Sequence, residues 1–199
     1  MKANEPICVA ALGVDHRHIV GMAQGMIDAG ARFEAFWTEG EPQPLAGFTR
    51  HFPDVPRVQD RRAILDNPRI ALVLLACPPD QRAAFAIEAM RHGKDVMVDK
   101  PGCITLDELA QVRRVAAETG RIWSVNFSER FEVRAVTRVS ELVRQGRIGR
   151  VVQTLGLGPH RLNAAIRPDW FFQPRRYGGI LPFIASHPLD PFLLFTWLY

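Results

Sequence analysis

The chain lacks most of the features that mark a specialised class of protein. No apolar run approaches the roughly 20 residues that a membrane-spanning helix needs, so no membrane partner is expected. Cysteine is scarce. Cys8, Cys77 and Cys103 are odd in number and widely spaced, which excludes a disulfide framework and a zinc pattern and suits a reducing, cytoplasmic setting. Charge of one sign is also scarce. The net charge is +4, and pairs such as Arg61-Arg62, Arg113-Arg114 and Arg175-Arg176 are scattered without interleaved aromatics. That excludes a nucleic-acid footprint, although a mild basic excess can draw in a phosphorylated cofactor or an acidic substrate. Residues 1–6 carry both charges and no apolar core, so they do not read as a signal peptide. Internal repeats and low-complexity linkers are absent.

What is present is an ordinary globular composition: 199 residues, 47% hydrophobic and 23% charged. That is enough for one large domain, or one domain and part of another. Apolar runs at 7–12, 33–37, 70–76, 95–98 and 122–125 read as strands, with a short one at Val58. The run 70–76 is continuous, as expected for a strand covered on both faces. Helical spacing appears over 18–29, with Ile19, Met22, Ala23, Met26 and Ile27 on one face. Shorter helices are expected over 45–52 and 61–65. A longer one over 81–91 carries the stripe Ala84, Phe85, Ile87, Ala89 and Met90. Thr105 with Glu108 three residues on is a capping box for a helix faced by Leu106, Leu109, Val112 and Val115 and stopped at Gly120. Strands alternating with helices imply an α/β, doubly wound parallel sheet of Rossmann type over residues 1–125. Residues 126–199 read as the start of a second, α+β domain, with a helix over 131–145, a strand over 150–157 and a polar, aromatic stretch over 159–177.

In an open parallel sheet, ligands bind outside the carboxyl ends of the strands. The first strand ends in Gly13-Val14-Asp15-His16-Arg17-His18. Against the G-x-G-x-x-G fingerprint only the first glycine is kept. Asp15 stands at the second position and His18 at the third. A carboxylate there repels a pyrophosphate unless it turns away or is neutralised, and Arg17, His16 or His18 can compensate. Thr38 ends the second strand where an acidic residue normally meets the adenosine ribose. Glu39 follows and tilts the choice toward NAD over NADP, or else is a solvated turn residue. Cys77 and Cys103 read as semi-buried packing residues rather than reactive thiols. His16 and His18 lack an evident third ligand, so no metal site is expected. The fourth long strand delivers Asp99-Lys100-Pro101 to the crevice. Lys100 there can hand a proton to a substrate oxygen or take one away; in isolation it would read as a surface lysine.

In this context the chain resembles the Gfo/Idh/MocA oxidoreductases. The resemblance rests on the Gly13 turn, on Ala76-Cys77-Pro78-Pro79, and on Asp99-Lys100-Pro101 in place of a Glu-Lys-Pro. It also rests on residues 126–131, on Gly178-Gly179-Ile180-Leu181 and on Ser186-His187. It implies hydride transfer between a nicotinamide cofactor, NAD or alternatively NADP, and a secondary alcohol of a sugar or polyol. Lys100 and His187 would be the catalytic pair, with Pro101 and Asn126 near the nicotinamide. Gly13, Pro78 and Pro79 would line the dinucleotide, with Asp15, His16, His18, Thr38, Glu39, Cys77 and Asp99 around it. Arg161, Asn163, Asp169 and Trp170 would adjoin the substrate.

Three departures stand out. The family usually has an aspartate four residues before the histidine, where this chain has Phe183. Asp15 enters the glycine loop. The chain stops at Tyr199, soon after the family's second domain begins, and that domain commonly forms a dimer face, so a homo-oligomer is the matching expectation. Pro182, Pro188 and Pro191 interrupt the last segment, and a helix is expected to restart with Asp190 as N-cap and Pro191 first. The aromatic tail over 192–199 is expected to lie exposed. The alternative reading is a non-catalytic dinucleotide-sensing or partner-binding relative, or an inactive truncated product.

Overall fold

The computed structural model describes residues 5–157 and 161–196. Residues 1–4, residues 158–160 (which include Pro159, where the polar, aromatic stretch begins) and the end of the aromatic tail at 197–199 lie outside that range.

Five parallel strands form one sheet: β1 (Cys8–Leu12), β2 (Arg32–Trp37), β3 (Ile70–Leu75), β4 (Asp95–Asp99) and β5 (Trp123–Asn126), in the order β2-β1-β3-β4-β5. Successive β1 side chains go to opposite faces, as a two-residue period requires. Val9 and Ala11 join the core with Ile19, Met22 and Ala23 of α1 (His18–Asp28) and Phe48 of α2 (Leu45–His51). Ala10 and Leu12 join the opposite core. There they meet Ile64 and Leu65 of α3 (Arg62–Leu65), Ala83, Ala86 and Met90 of α4 (Pro79–Arg91), and Val112 and Val115 of α5 (Leu106–Thr119). With helices on both faces this is a Rossmann-type α/β fold. The chain leaves β1 for β2 on one side and returns for β3 on the other. The crevice outside the carboxyl ends opens at that reversal.

Local chemistry accounts for most boundaries. The Thr105 hydroxyl accepts from the Glu108 N–H at 3.1 Å, and the Glu108 carboxylate accepts from the Thr105 N–H at 3.0 Å. This closes the capping box, a device typically contributing about 1 kcal/mol. Gly120 ends α5 at φ +65°, a left-handed conformation that glycine adopts without strain.

Several expectations are corrected. Val58 makes no strand. The segment meets the sheet edge through one parallel bridge, Phe36 to Arg57, with the Val58 N–H donating to Phe36 O at 2.9 Å. Helix α4 starts at Pro79, whose missing N–H costs nothing in a first turn. Its buried face is Arg82, Ala83, Ala86, Ala89 and Met90, and Ala84 is exposed. Leu106, at the first turn of α5, is 82% exposed. The helix expected over 131–145 is α7 (Arg134–Arg144), and a separate short helix, α6 (Ser128–Phe131), precedes it. Residues 150–157 form no strand, since none of the described strands pairs with them, and an extended segment without a ladder has little to hold it.

Short 3-10 turns at Ala164–Ile166 and Asp169–Phe172 lead to α8 (Pro174–Tyr177). A π-type turn, Leu181–Ala185, runs straight into α9 (Ser186–Thr196). Pro191 therefore lies inside α9 rather than opening a new helix. Asp190 is not a cap; its carboxylate meets Arg130 at 3.1 Å. Phe192 and Leu193 are over a third exposed, in line with the reading of the tail.

Candidate functional site at the carboxyl ends of the strands

Gly13 turns the chain out of β1 at φ +78°, and its N–H donates to Trp37 O at 2.8 Å. A Cβ at this position would sit 2.5 Å from Cys77 Cβ, so the loops after β1 and β3 pack too closely for any other residue. The His16 N–H donates to Ala76 O at 3.0 Å and ties the same two loops. Thr38 is buried, and its hydroxyl accepts from the Val14 N–H at 3.3 Å. It holds the loop rather than facing the crevice. Glu39 is exposed and lines a cavity of about 150 Å³ with Gly13, Asp15, Cys77 and Pro78. Trp170 and Arg176 close that cavity, and Arg176 pairs with Asp80 at 3.0 Å. Trp170 is buried and lies at the crevice. Asn163 and Arg167 line a larger cavity of about 450 Å³ on the other side of the first loop, with Arg17 and Arg50. Arg161 and Asp169 are exposed.

Burial pushes the Asp15 carboxyl up to about 6, partly offset by its backbone hydrogen bond and by Arg82 and Arg176. The expected compensation by His16 or His18 does not occur, because both rings turn to Asp99. His18 Nδ1 lies 2.9 Å from Asp99 Oδ1 in hydrogen-bond alignment. His16 Nδ1 lies 2.8 Å from Oδ2 but is not aligned as a hydrogen bond. Burial lowers His16 to about 4, against the pull of Asp99, so its ring is neutral at pH 7 and the contact is not an ion pair.

Arg82, fully buried, organises this centre. Its Nε donates to Cys77 O at 2.8 Å. Its Nη1 donates to Asp99 O at 2.8 Å and to Pro101 O at 3.0 Å. Its Nη2 donates to Asp99 Oδ2 at 3.1 Å. Burial alone would raise Asp99, but Arg82, His16 and His18 reverse that and hold it well below the ordinary carboxylate range. Sequence reasoning missed Arg82. Its signal was available, since it lies four residues before Ala86 on the buried face of α4.

Lys100 follows on β4, and its peptide to Pro101 is cis. Its Nζ donates to Phe183 O at 2.6 Å and lies 4.1 Å from the Phe183 ring centroid. Burial lowers the amine to about 8, against the pull of Asp99. Phe183, where the family has an aspartate, thus faces the lysine with a carbonyl and a ring. His187, one turn later, is buried beside Phe127 and His18, at ring separations of 6.3 and 6.4 Å, with Glu129 at 3.9 Å. Asn126 pairs in register with Asp99, and its Nδ2 is a buried donor with no acceptor among the described residues. Cys77 is buried and its thiol is pushed up to about 12 by burial; Cys103 is also raised by burial. Both fit the packing role.

Residues 22–127 match the family model described as "Oxidoreductase family, NAD-binding Rossmann fold". Among curated proteins, the chain is 29% identical over 161 residues to 1-carboxy-3-chloro-3,4-dihydroxycyclohexa-1,5-diene dehydrogenase of Comamonas testosteroni, covering 77% of this chain and 38% of that protein. It is 29% identical over 155 residues to levoglucosan dehydrogenase of Pseudarthrobacter phenanthrenivorans, covering 76% and 40%. Among solved structures, an oxidoreductase from Erwinia carotovora atroseptica SCRI1043 is 43% identical with a TM-score of 0.91, covering 96% of this chain and 57% of that one. The chain spans about two fifths of the length of the curated relatives it matches.

Proposed function

The chain belongs to the Gfo/Idh/MocA oxidoreductases, whose fold is an NAD-binding Rossmann fold, and from that premise we propose that it binds a nicotinamide dinucleotide at the β1/β3 reversal and serves hydride transfer with a secondary alcohol of a sugar or polyol. The observation that carries this reading is Lys100. Its amine is buried at the carboxyl end of β4 and lowered to about 8, in range to trade a proton near neutrality.

The residues present fit the cofactor. Gly13 makes the tight turn, and the unsatisfied Asn126 amide is a donor waiting at the nicotinamide end. Asp15 is the poor fit, softened by a carboxyl that protonates near pH 6. Gly13, Cys77 and Pro78 would hold the pyrophosphate side, Glu39 the adenosine ribose, and Pro101 and Asn126 the nicotinamide. When bound, the nicotinamide supplies the hydride acceptor. Neutral Lys100 takes the proton that the substrate hydroxyl loses, after its amine leaves the Phe183 carbonyl. His187 is the second group within the same turn of chain. Trp170 must yield, since about 150 Å³ is well below the ~300 Å³ at the low end of ligand pockets.

A second reading has its own observation. Phe183 stands where the family's aspartate would share a proton with His187, and it covers Lys100. That favours a non-catalytic, dinucleotide-sensing relative. A panel of sugars and polyols with NAD and NADP decides between them. Turnover that falls at least 100-fold in Lys100→Ala supports the first reading. Undiminished turnover in that variant removes Lys100 from the chemistry, and no turnover with intact dinucleotide binding leaves the sensing reading.

A further inference from the structure

Two imidazoles and a carboxylate meet at the end of β4, and the dehydrogenase reading uses none of them for chemistry. The nearest donor atoms of His16, His18 and Asp99 all lie within 4.8 Å of one another. The His16 contact is the anomaly. Its ring is 6% exposed, and Nδ1 sits 2.8 Å from a carboxylate oxygen without hydrogen-bond alignment. If Nδ1 carries the proton, a buried donor is aimed at an acceptor it does not engage. If Nε2 carries it, an acceptor nitrogen is crowded against an anionic oxygen with no proton between them. Either arrangement is costly in a buried setting, and a cation between the two atoms relieves both.

We propose that His16, His18 and Asp99 form a binding site for one first-row divalent transition-metal ion of the zinc, cobalt or ferrous class. Two imidazoles and one carboxylate are the donor set of a facial triad with open positions. Each ring reaches a different oxygen of Asp99, with His16 Nδ1 2.8 Å from Oδ2 and His18 Nδ1 2.9 Å from Oδ1. Both separations are near the about 3 Å between two ligands held about 2.1 Å from one metal at right angles, so an ion here would meet the carboxylate between the two rings.

The surroundings suit a second shell. Arg82 fixes the carboxylate through Asp99 Oδ2 and through the Asp99 and Pro101 carbonyls, leaving Oδ1 toward His18. The rings of Trp170 and Phe183, 6.3 and 6.0 Å from that of His16, keep one side dry. The His187 ring, 6.4 Å from that of His18, lies near enough to meet an ion's remaining ligands. Arg82 and Lys100 bring positive charge to the same centre. They set a ceiling on affinity and select a soft, imidazole-preferring ion over magnesium or calcium.

The test uses the purified chain stripped with chelator and titrated with Co²⁺ as the spectroscopic probe. The expected result is one equivalent bound, with a visible d–d absorption that Zn²⁺ displaces. His18→Gln and His16→Gln, each checked by circular dichroism without metal, should each weaken binding by roughly 100-fold. The unmodified chain supplies a second measurement, because Co²⁺ should protect His18 from diethyl pyrocarbonate, read by peptide mass. No saturable absorption, an absorption retained in both variants, or His18 modified equally fast with and without the ion would each overturn the assignment. None of these readouts depends on dinucleotide binding or turnover.

Discussion

The molecule has two unlike parts, divided near Asn126. Before it, the sheet makes the core and every crevice residue is held by backbone it can lean on. After it, Val143, Trp170 and Phe183 are the only buried hydrophobic residues among the described ones. Leaving aside Ile7, Leu106 and Ile122, every exposed large hydrophobic lies from Phe131 onward. Two buried rings of the later part, Trp170 and Phe183, lie over the crevice of the earlier part, both near His16, with Phe183 on Lys100 and Trp170 lining a cavity with Gly13 and Cys77. The lesson is that the earlier part builds most of the site, while the later part covers it and adds His187. Perturbations should therefore be severe in one and mild in the other.

The largest effect is expected at Arg82. Replacing it with Met leaves Asp99 charged and buried without its main partner, a defect that typically costs about 3–5 kcal/mol. Urea unfolding should register it, and a loss under about 1 kcal/mol would show that Asp99 does not depend on Arg82. Gly13→Ala comes next. It forces a Cβ into Cys77 at a positive φ, and about 3 kcal/mol should be lost along with any NADH affinity. A stable Gly13→Ala chain that still binds NADH would mean the first loop is not the binding turn.

Asp15→Asn should act in the other direction. Removing a partly buried carboxylate should tighten NADH several-fold and stabilise the fold at neutral pH by about 1 kcal/mol, discounted for its exposure. Fluorescence titration and unfolding at pH 7.5 would check both, and weaker binding would mean that Asp15 contacts the ligand directly. The smallest effect belongs to the later part. Leu155, 77% exposed, should accept serine within about 0.5 kcal/mol. A larger loss there would mean the segment is packed in solution and would erase the contrast between the two parts.

The earlier part was largely legible because its signals are local. Continuous apolar runs bounded by Gly13, Gly30, Gly93 and Gly120 mark strand and helix ends to within a residue or two. Where phase decided, the reading slipped. Helix α4 begins two residues earlier than expected, and its buried face runs through Arg82, Ala83 and Ala86 rather than Ala84. Residues 150–157 read as a strand from their apolar content, but strand formation depends on a partner that composition cannot supply. In the candidate site, Lys100 and His187 were marked by their order along the chain. The turning of His16 and His18 to Asp99 was not. That contact joins positions 81 residues apart in the case of His18, and only the β1–β3–β4 order brings them together. Phe183 was visible as a missing aspartate, whereas its carbonyl on Lys100 belongs to the backbone and carries no residue signature.

The most direct measurement is a titration of the folded, purified chain with NADH, followed by tryptophan emission, since Trp170 lies in the crevice the dinucleotide would enter. A dinucleotide site at the β1/β3 reversal predicts saturable quenching, lost in Gly13→Ala and strengthened in Asp15→Asn. No saturable change with either NADH or NADPH, in a chain shown to be folded, would contradict it.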